Sequence, residues 1–280
     1  MPAQIIDGKK IADKILDELK SKIISLKQKP GLALVLVGDN PASEIYVNFK
    51  EKTCREAGFY CERYNLSKNT EELDILNLIN ELNNKPKIHG ILVQLPLPNH
   101  IDGNIIVNSI LPQKDVDGFT PMSLGNLVCG KAVFAPATAR AVMQLIASTG
   151  IKIEGKNAVV IGRSNIVGKP TAMLLLEKNA TVTIAHSKTR DLRSHTKNAD
   201  IIVAAAGKPG LITGDMLKQG VIVIDVGINR VGKKVIGDVD FESAKPVAAH
   251  ITPVPGGVGP MTIAMLMQNT LKAMELVKEF

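Results

Sequence analysis

Apolar residues at Ile11, Ile15, Leu16, Leu19, Ile23 and Ile24 recur at three- and four-residue intervals, which predicts an amphipathic helix over 8–27. Leu32 to Val37 is a short unbroken apolar run after Pro30-Gly31, the pattern of a buried strand. A helix over 42–57 follows the turn Gly38-Asp39-Asn40-Pro41 and stops at Gly58, with Ile45 and Phe49 marking its expected buried stripe. Next come a strand at 59–66, a helix at 70–82 and an apolar strand at 88–95 that ends at Pro96-Leu97-Pro98. Residues 99–135, rich in Asn, Gly and Pro, read as a loose segment. A helix over 138–149, with Thr138 as N-cap, restarts the alternation. Strands at 157–161, 181–185, 200–206 and 221–226 alternate with helices at 168–179 and 190–198. A short strand at 235–239 and a long helix from Met261 to Lys278 complete the chain.

Two runs of strand and helix alternation predict an α/β protein with parallel sheets. The expected domains are 1–137 and 138–262, with the C-terminal helix 263–280 packing back on the first. A chain of 280 residues is long enough for two cores.

Composition removes several function classes. Hydrophobic residues make up 45% and charged residues 22%, which is ordinary for a folded protein. Trp is absent and Tyr and Phe number three and six, so little aromatic surface is available for stacking bases. The net charge of +7 favours anionic partners, but Lys50, Lys52 and Arg55 are interrupted by Glu51, so a phosphate-bearing coenzyme fits better than nucleic acid. Cys54, Cys61 and Cys129 form no Cys-x-x-Cys pair and suggest a reducing compartment. No His cluster suggests a metal, no apolar run approaches a membrane span, and residues 1–13 lack a signal-peptide core, so a cytoplasmic protein is expected.

The strand at 157–161 feeds into Gly162-Arg163-Ser164-Asn165-Ile166-Val167-Gly168. Glycines at a strand end and a helix start allow a tight turn and close backbone approach, and the free N–H groups of that helix attract phosphate. The string resembles a nucleotide-binding P-loop, but five residues separate the glycines and Pro170 stands where that motif needs a hydroxyl. After the next strand, His186-Ser187-Lys188-Thr189-Arg190 offers hydroxyls and cations in place of the carboxylate that grips an NAD ribose. With Arg163, this leans toward the 2′-phosphate of NADP.

In the first half, Tyr46 and Lys50 share a helix face at i, i+4. By spacing alone a snorkelling lysine beside a core tyrosine is the better reading of the pair. Gln94 is the odd amide in an apolar strand, near the end where α/β sheets bind ligands. Asp117, in an Asp-Gly turn, has a plain turn reading too.

Asn40-Pro41-Ala42-Ser43 with Tyr46 and Lys50, the string from Gly90 to Pro98 containing Gln94-Leu95-Pro96-Leu97-Pro98, Lys114-Asp115-Val116-Asp117-Gly118, Gly162-Arg163-Ser164, and Pro253 to Thr262 occur in that order. Together they resemble the bifunctional methylenetetrahydrofolate dehydrogenase/methenyltetrahydrofolate cyclohydrolases. The resemblance implies an N-terminal catalytic domain, a C-terminal Rossmann-type NADP-binding domain, a folate substrate, a place in one-carbon metabolism and purine biosynthesis, and a homodimer. It implies catalytic roles for Lys50, Tyr46, Gln94 and Asp117. It assigns NADP to Gly162, Arg163, Ser164, Val167, Gly168, Ser187, Ile228 and Thr262. Folate contacts fall to Tyr46, Asp117, Pro255, Gly256 and Gly257.

One stretch departs from that family. Pro136-Ala137-Thr138-Ala139-Arg140-Ala141 stands where the family carries Pro-Cys-Thr-Pro-x-Gly. Another Rossmann dehydrogenase would share the coenzyme half, and a non-catalytic folate or nucleotide binder would have no use for Lys50.

Overall fold

The computed structural model describes residues 2–232 and 234–277. The first elements are β1 (Gln4–Ile5), α1 (Gly8–Ile24), β2 (Gly31–Val37), α2 (Pro41–Glu56), β3 (Tyr60–Leu66), α3 (Glu72–Asn84) and β4 (Gly90–Val93). Three helices follow: α4 (Gly103–Asn108), α5 (Pro121–Val128) and α6 (Ala137–Ala147). The later strands and helices are β5 (Asn157–Ile161), α7 (Gly168–Glu177), β6 (Thr181–Ala185), α8 (Leu192–Thr196), β7 (Ile201–Ala204) and β8 (Ile222–Asp225). The chain ends with β9 (Asn229–Val231), β10 (Lys234–Ile236), α9 (Phe241–Ala244), β11 (His250–Ile251) and α10 (Val258–Val277).

The chain divides into two compact units, one of Lys14–Ala137 with 263–277 and one of 2–13 with Thr138–Thr262. The first contains a parallel sheet in the order β3-β2-β4. Every residue of β2 is buried, as the centre of a sheet covered on both faces requires. Ile75, Ile79 and Leu82, at i, i+4 and i+7 of α3, pack with Ala33, Val35 and Ile91. From α10, the Asn269 side chain donates to the carbonyls of Val116 at 2.7 Å and Ala135 at 3.2 Å.

The other unit has a parallel sheet in the order β1-β11-β8-β7-β5-β6. Residues 2–13, expected with the first domain, belong here because Gln4 and Ile5 pair with His250 and Ile251. Neither two-residue strand is long enough to leave a periodic signal.

Other expectations also change. The segment 99–135 holds α4 and α5, which are capped by Asp102 and Thr120 but too short to show a full apolar stripe. Residues 235–239 contribute the end of β10, which pairs antiparallel with β9, and a single parallel bridge from Val239 to Ile212. Thr138 lies inside α6 rather than at its cap, because Ala137 already starts the helix. The last helix begins at Val258, before Met261, and its expected reach to Lys278 lies outside the described residues.

Candidate active site

Asn40 caps α2 through Oδ1, which accepts from the N–H groups of Ala42 at 3.0 Å and Ser43 at 3.1 Å, and Pro41 opens the first turn. The helix buries Ser43, Val47 and Cys54, not the stripe expected from Ile45 and Phe49, which are 38% and 56% exposed. Tyr46 and Lys50 are half-buried.

Gln94 lies just past the end of β4, its own N–H bonded to Val35 O at 2.9 Å. Its side-chain Nε2 donates to Leu95 O at 2.7 Å, which leaves Oε1 to accept from Lys50 Nζ at 3.0 Å. Burial pulls the Lys50 pKa down, and the charge of Asp117 works against that shift. Burial pushes Asp117 up to about 6, with Lys50 opposing and Asp115 adding to the rise. Lys50, Gln94 and Asp117 are thus brought together, and Tyr46 sits one helical turn before Lys50.

The turn that carries Asp117 is built by its neighbours. Asp115, 1% exposed, accepts from the N–H groups of Gly118, Phe119 and Thr120 at 2.9, 3.1 and 2.8 Å and from Ser123 Oγ at 2.6 Å. Lys114 Nζ donates to Leu82 O at 2.9 Å and Lys85 O at 3.0 Å, closing the end of α3. Val116 fills the space beside Gly90, where a Cβ would lie 2.6 Å from its methyl. The sequence placed Lys114 and Asp115 in the motif around Asp117 but gave them no role of their own. The available signal was a second Asp two residues before Asp117.

In the other unit, the paired ends of β5, β7 and β8 gather loops at one sheet edge. Ile161 faces Ala185 on one side and Ala204 on the other, and Ala204 faces Asp225. Gly162 has φ +132°, and a Cβ there would lie 2.1 Å from Ala205 O. A Cβ at Gly168 would lie 2.2 Å from Gly162 O. Ser164 Oγ accepts from the N–H groups of Val167 at 3.2 Å and Gly168 at 3.3 Å. Arg163, Ser187, Lys188 and Arg190 are exposed on loops that leave adjacent strands. This glycine cradle at a helix start, beside cations and without a carboxylate, suits a dinucleotide with an extra phosphate.

Ile228 is 48% exposed just after β8, and Thr262 Oγ1 lies 3.1 Å from Val258 O and 3.4 Å from Thr138 Oγ1. The loop of Pro255, Gly256 and Gly257 is held against the start of α1. Lys9 N donates to Gly256 O at 2.9 Å, and a Cβ at Gly8 would lie 2.0 Å from Gly257 O. A separate cavity of about 260 Å³, lined by Asp225, Ile236, Phe241 and Glu242 among others, touches the Pro253 to Thr262 string only at Val254, to which the sequence assigned no role. Its carboxylates would repel phosphate, so the glycine cradle is the better coenzyme site.

Residues 6–117 match the family model of the tetrahydrofolate dehydrogenase/cyclohydrolase catalytic domain, and 136–278 match that of the NAD(P)-binding domain. The chain belongs to the tetrahydrofolate dehydrogenase/cyclohydrolase family. It is 58% identical over 277 residues to the bifunctional protein FolD of Moorella thermoacetica, covering 98% of this chain and 99% of that one. The bifunctional FolD structure from Campylobacter jejuni superposes with a TM-score of 0.96 at 50% identity, covering 98% and 99% of the two chains. The Trypanosoma brucei FolD, complexed with NADP cofactor and inhibitor, gives 0.98 at 38% identity, covering 100% of both.

Tyr46, Lys50, Gln94 and Asp117 fall within the family's catalytic-domain match. The glycine cradle, Ser187, Ile228, Pro255–Gly257 and Thr262 fall within its NAD(P)-binding match. Where the chain departs from the family pattern, Ala137, Ala139 and Ala141 are all fully buried, so the added methyl at 141 is accommodated by packing. Among the described residues, no three His, Cys, Asp or Glu side chains are grouped to hold a metal ion.

Proposed function

We propose that this chain oxidises 5,10-methylenetetrahydrofolate with NADP and hydrolyses the methenyl product to 10-formyltetrahydrofolate. The observation that carries the reading is the Lys50–Gln94–Asp117 cluster at the carboxyl end of a parallel sheet. A folate provides an N3–H and a 2-amino group side by side, and the Asp117 carboxylate accepts both. Tyr46 stacks against the folate. Bound NADP supplies the hydride acceptor. Gly162, Ser164, Val167 and Gly168 hold its phosphates, Arg163 and Ser187 select the 2′-phosphate, and Ile228 and Thr262 flank the nicotinamide end.

The oxidation asks the protein mainly to position two partners. The hydrolysis asks for proton management. Water oxygen bonds to the methenyl carbon as one of its protons passes to the neutral amine of Lys50. The carbon–N5 bond then breaks as Lys50 returns that proton to N5, and the remaining hydroxyl proton leaves to solvent as the formyl C=O forms. Burial that lowers the Lys50 pKa raises the fraction of free amine. Gln94 orients Lys50 through the 3.0 Å bond.

A homodimer is part of the proposal. β3 is a sheet edge paired only with β2 among the described residues, and an edge strand is a ready docking surface. A cytoplasmic setting and a supply of formyl groups to purine biosynthesis complete it. They are supported by the free thiols Cys54, Cys61 and Cys129 and by the chemistry of the product. No helix of the described residues is long and apolar enough to cross a membrane.

The test is reduced-coenzyme formation by purified protein with 5,10-methylenetetrahydrofolate, run in parallel with NADP and NAD. The expected result is turnover at least about tenfold faster with NADP, the worth of one charge-assisted phosphate contact. Equal rates would remove the roles of Arg163 and Ser187. Absence of turnover with both would overturn the activity.

A further inference from the structure

Two buried carboxylates of the dinucleotide unit take no part in the steps above. Asp225 ends β8 and is 4% exposed, and Asp238 is 0% exposed. Asp225 Oδ1 accepts from the N–H groups of Gly227 at 3.0 Å and Asp238 at 2.9 Å, and Oδ2 accepts from Val239 N at 2.9 Å. Asp238 Oδ2 accepts from Ala206 N at 2.6 Å and Gly207 N at 2.9 Å, and Oδ1 accepts from Asn229 Nδ2 at 2.9 Å.

Each carboxylate occupies room left by a glycine next to the other. A Cβ at Gly227 would lie 2.3 Å from Asp238 Cγ, and one at Gly237 would lie 1.8 Å from Asp225 Oδ2. The two aspartates and two glycines therefore interlock. Two buried like charges side by side are a costly way to join loops if stability were their only role. Burial and the neighbouring Asp238 carboxylate both disfavour ionisation of Asp225.

The tied segments explain that cost. Ala206–Gly207 follows β7 and Gly227–Asn229 follows β8, both at the sheet edge that carries the Gly162 cradle. Gly227 and Asn229 are pinned, and between them Ile228 is held 48% exposed. Because both its chain neighbours are anchored, the placement of Ile228 is set by the interlock and not by its own packing. We propose that Asp225 and Asp238 are positioning residues that present Ile228 to the nicotinamide end of NADP. The proposal rests on the coenzyme role given to Ile228 above.

The test compares Asp238→Ala, Asp238→Asn, Asn229→Ala and Ile228→Ala with the unaltered enzyme. Dehydrogenase kcat, KM for NADP, coenzyme-free hydrolysis of the methenyl compound and melting temperature are measured for each. Asp238→Ala and Asn229→Ala should lower dehydrogenase kcat by about 10- to 100-fold, as misplaced reactants do, with KM for NADP and hydrolysis each within about threefold. Asp238→Asn keeps an oxygen for Ala206 and Gly207 and can pair with a flipped Asn229 amide, so it should recover most of that kcat. Asn229→Ala removes a single side-chain bond and carries the test if Asp238→Ala does not fold. A folded Asn229→Ala enzyme with unaltered kcat overturns the positioning role. So does a parallel loss of both activities and of melting temperature in Asp238→Ala and Asn229→Ala. If Ile228→Ala alone leaves kcat and KM unchanged, the coenzyme role of Ile228 fails instead.

Discussion

The chemistry at the residue scale turns on two pKa shifts in opposite directions. Asp117 is raised from 3.8 to about 6, so at pH values between these the folded protein holds a proton that the unfolded chain has released. The contribution of Asp117 to stability is therefore fully present below about pH 4 and is lost as pH rises through about 6. Asp117→Asn should raise the melting temperature relative to the unaltered protein more at neutral pH than at about pH 4.5. On the proposed folate role of Asp117, activity should follow the opposite course, because only the carboxylate would accept both folate donors. KM for the folate should climb as pH falls below about 6, and in Asp117→Asn it should be high and insensitive to that range. For Lys50, a negative partner would undo the shift caused by burial. Gln94→Glu should move the hydrolysis pH profile to higher pH, and an unmoved profile would detach Gln94 from Lys50.

The elements around these residues were only partly legible in the sequence. β2, β4, β5, β7 and β8 stood out because strands buried on both faces leave unbroken apolar runs. The local spacing of Tyr46 and Lys50 was visible as well, but it did not show which way α2 faces. Ile45 and Phe49 proved exposed because the sheet packs against Ser43, Val47 and Cys54. The Asp115 knot and the Asp225–Asp238 interlock were not legible, since most of their partners are backbone N–H groups that any sequence carries. Asp115→Ala strands several buried donors at once and should cost about 2–4 kcal/mol in denaturant unfolding. At the coenzyme loop, Gly162→Ala combines φ +132° with a 2.1 Å approach to Ala205 O, so NADP affinity should fall sharply while coenzyme-free hydrolysis persists.

For the molecule as a whole, two parallel sheets stand in two units. One carries Lys50, Gln94 and Asp117, to which the proton chemistry is assigned in the proposal, and the other carries the glycine cradle proposed for the coenzyme. One chain should run both reactions while needing Lys50 chemically only for the second. The most direct measurement is the pair of half-reactions in Lys50→Met, with oxidation of 5,10-methylenetetrahydrofolate by NADP and decay of added methenyl compound followed on the same preparation. Part of the oxidation should survive and catalysed hydrolysis should disappear. Full hydrolysis in a folded Lys50→Met protein would contradict this and remove Lys50 from the mechanism.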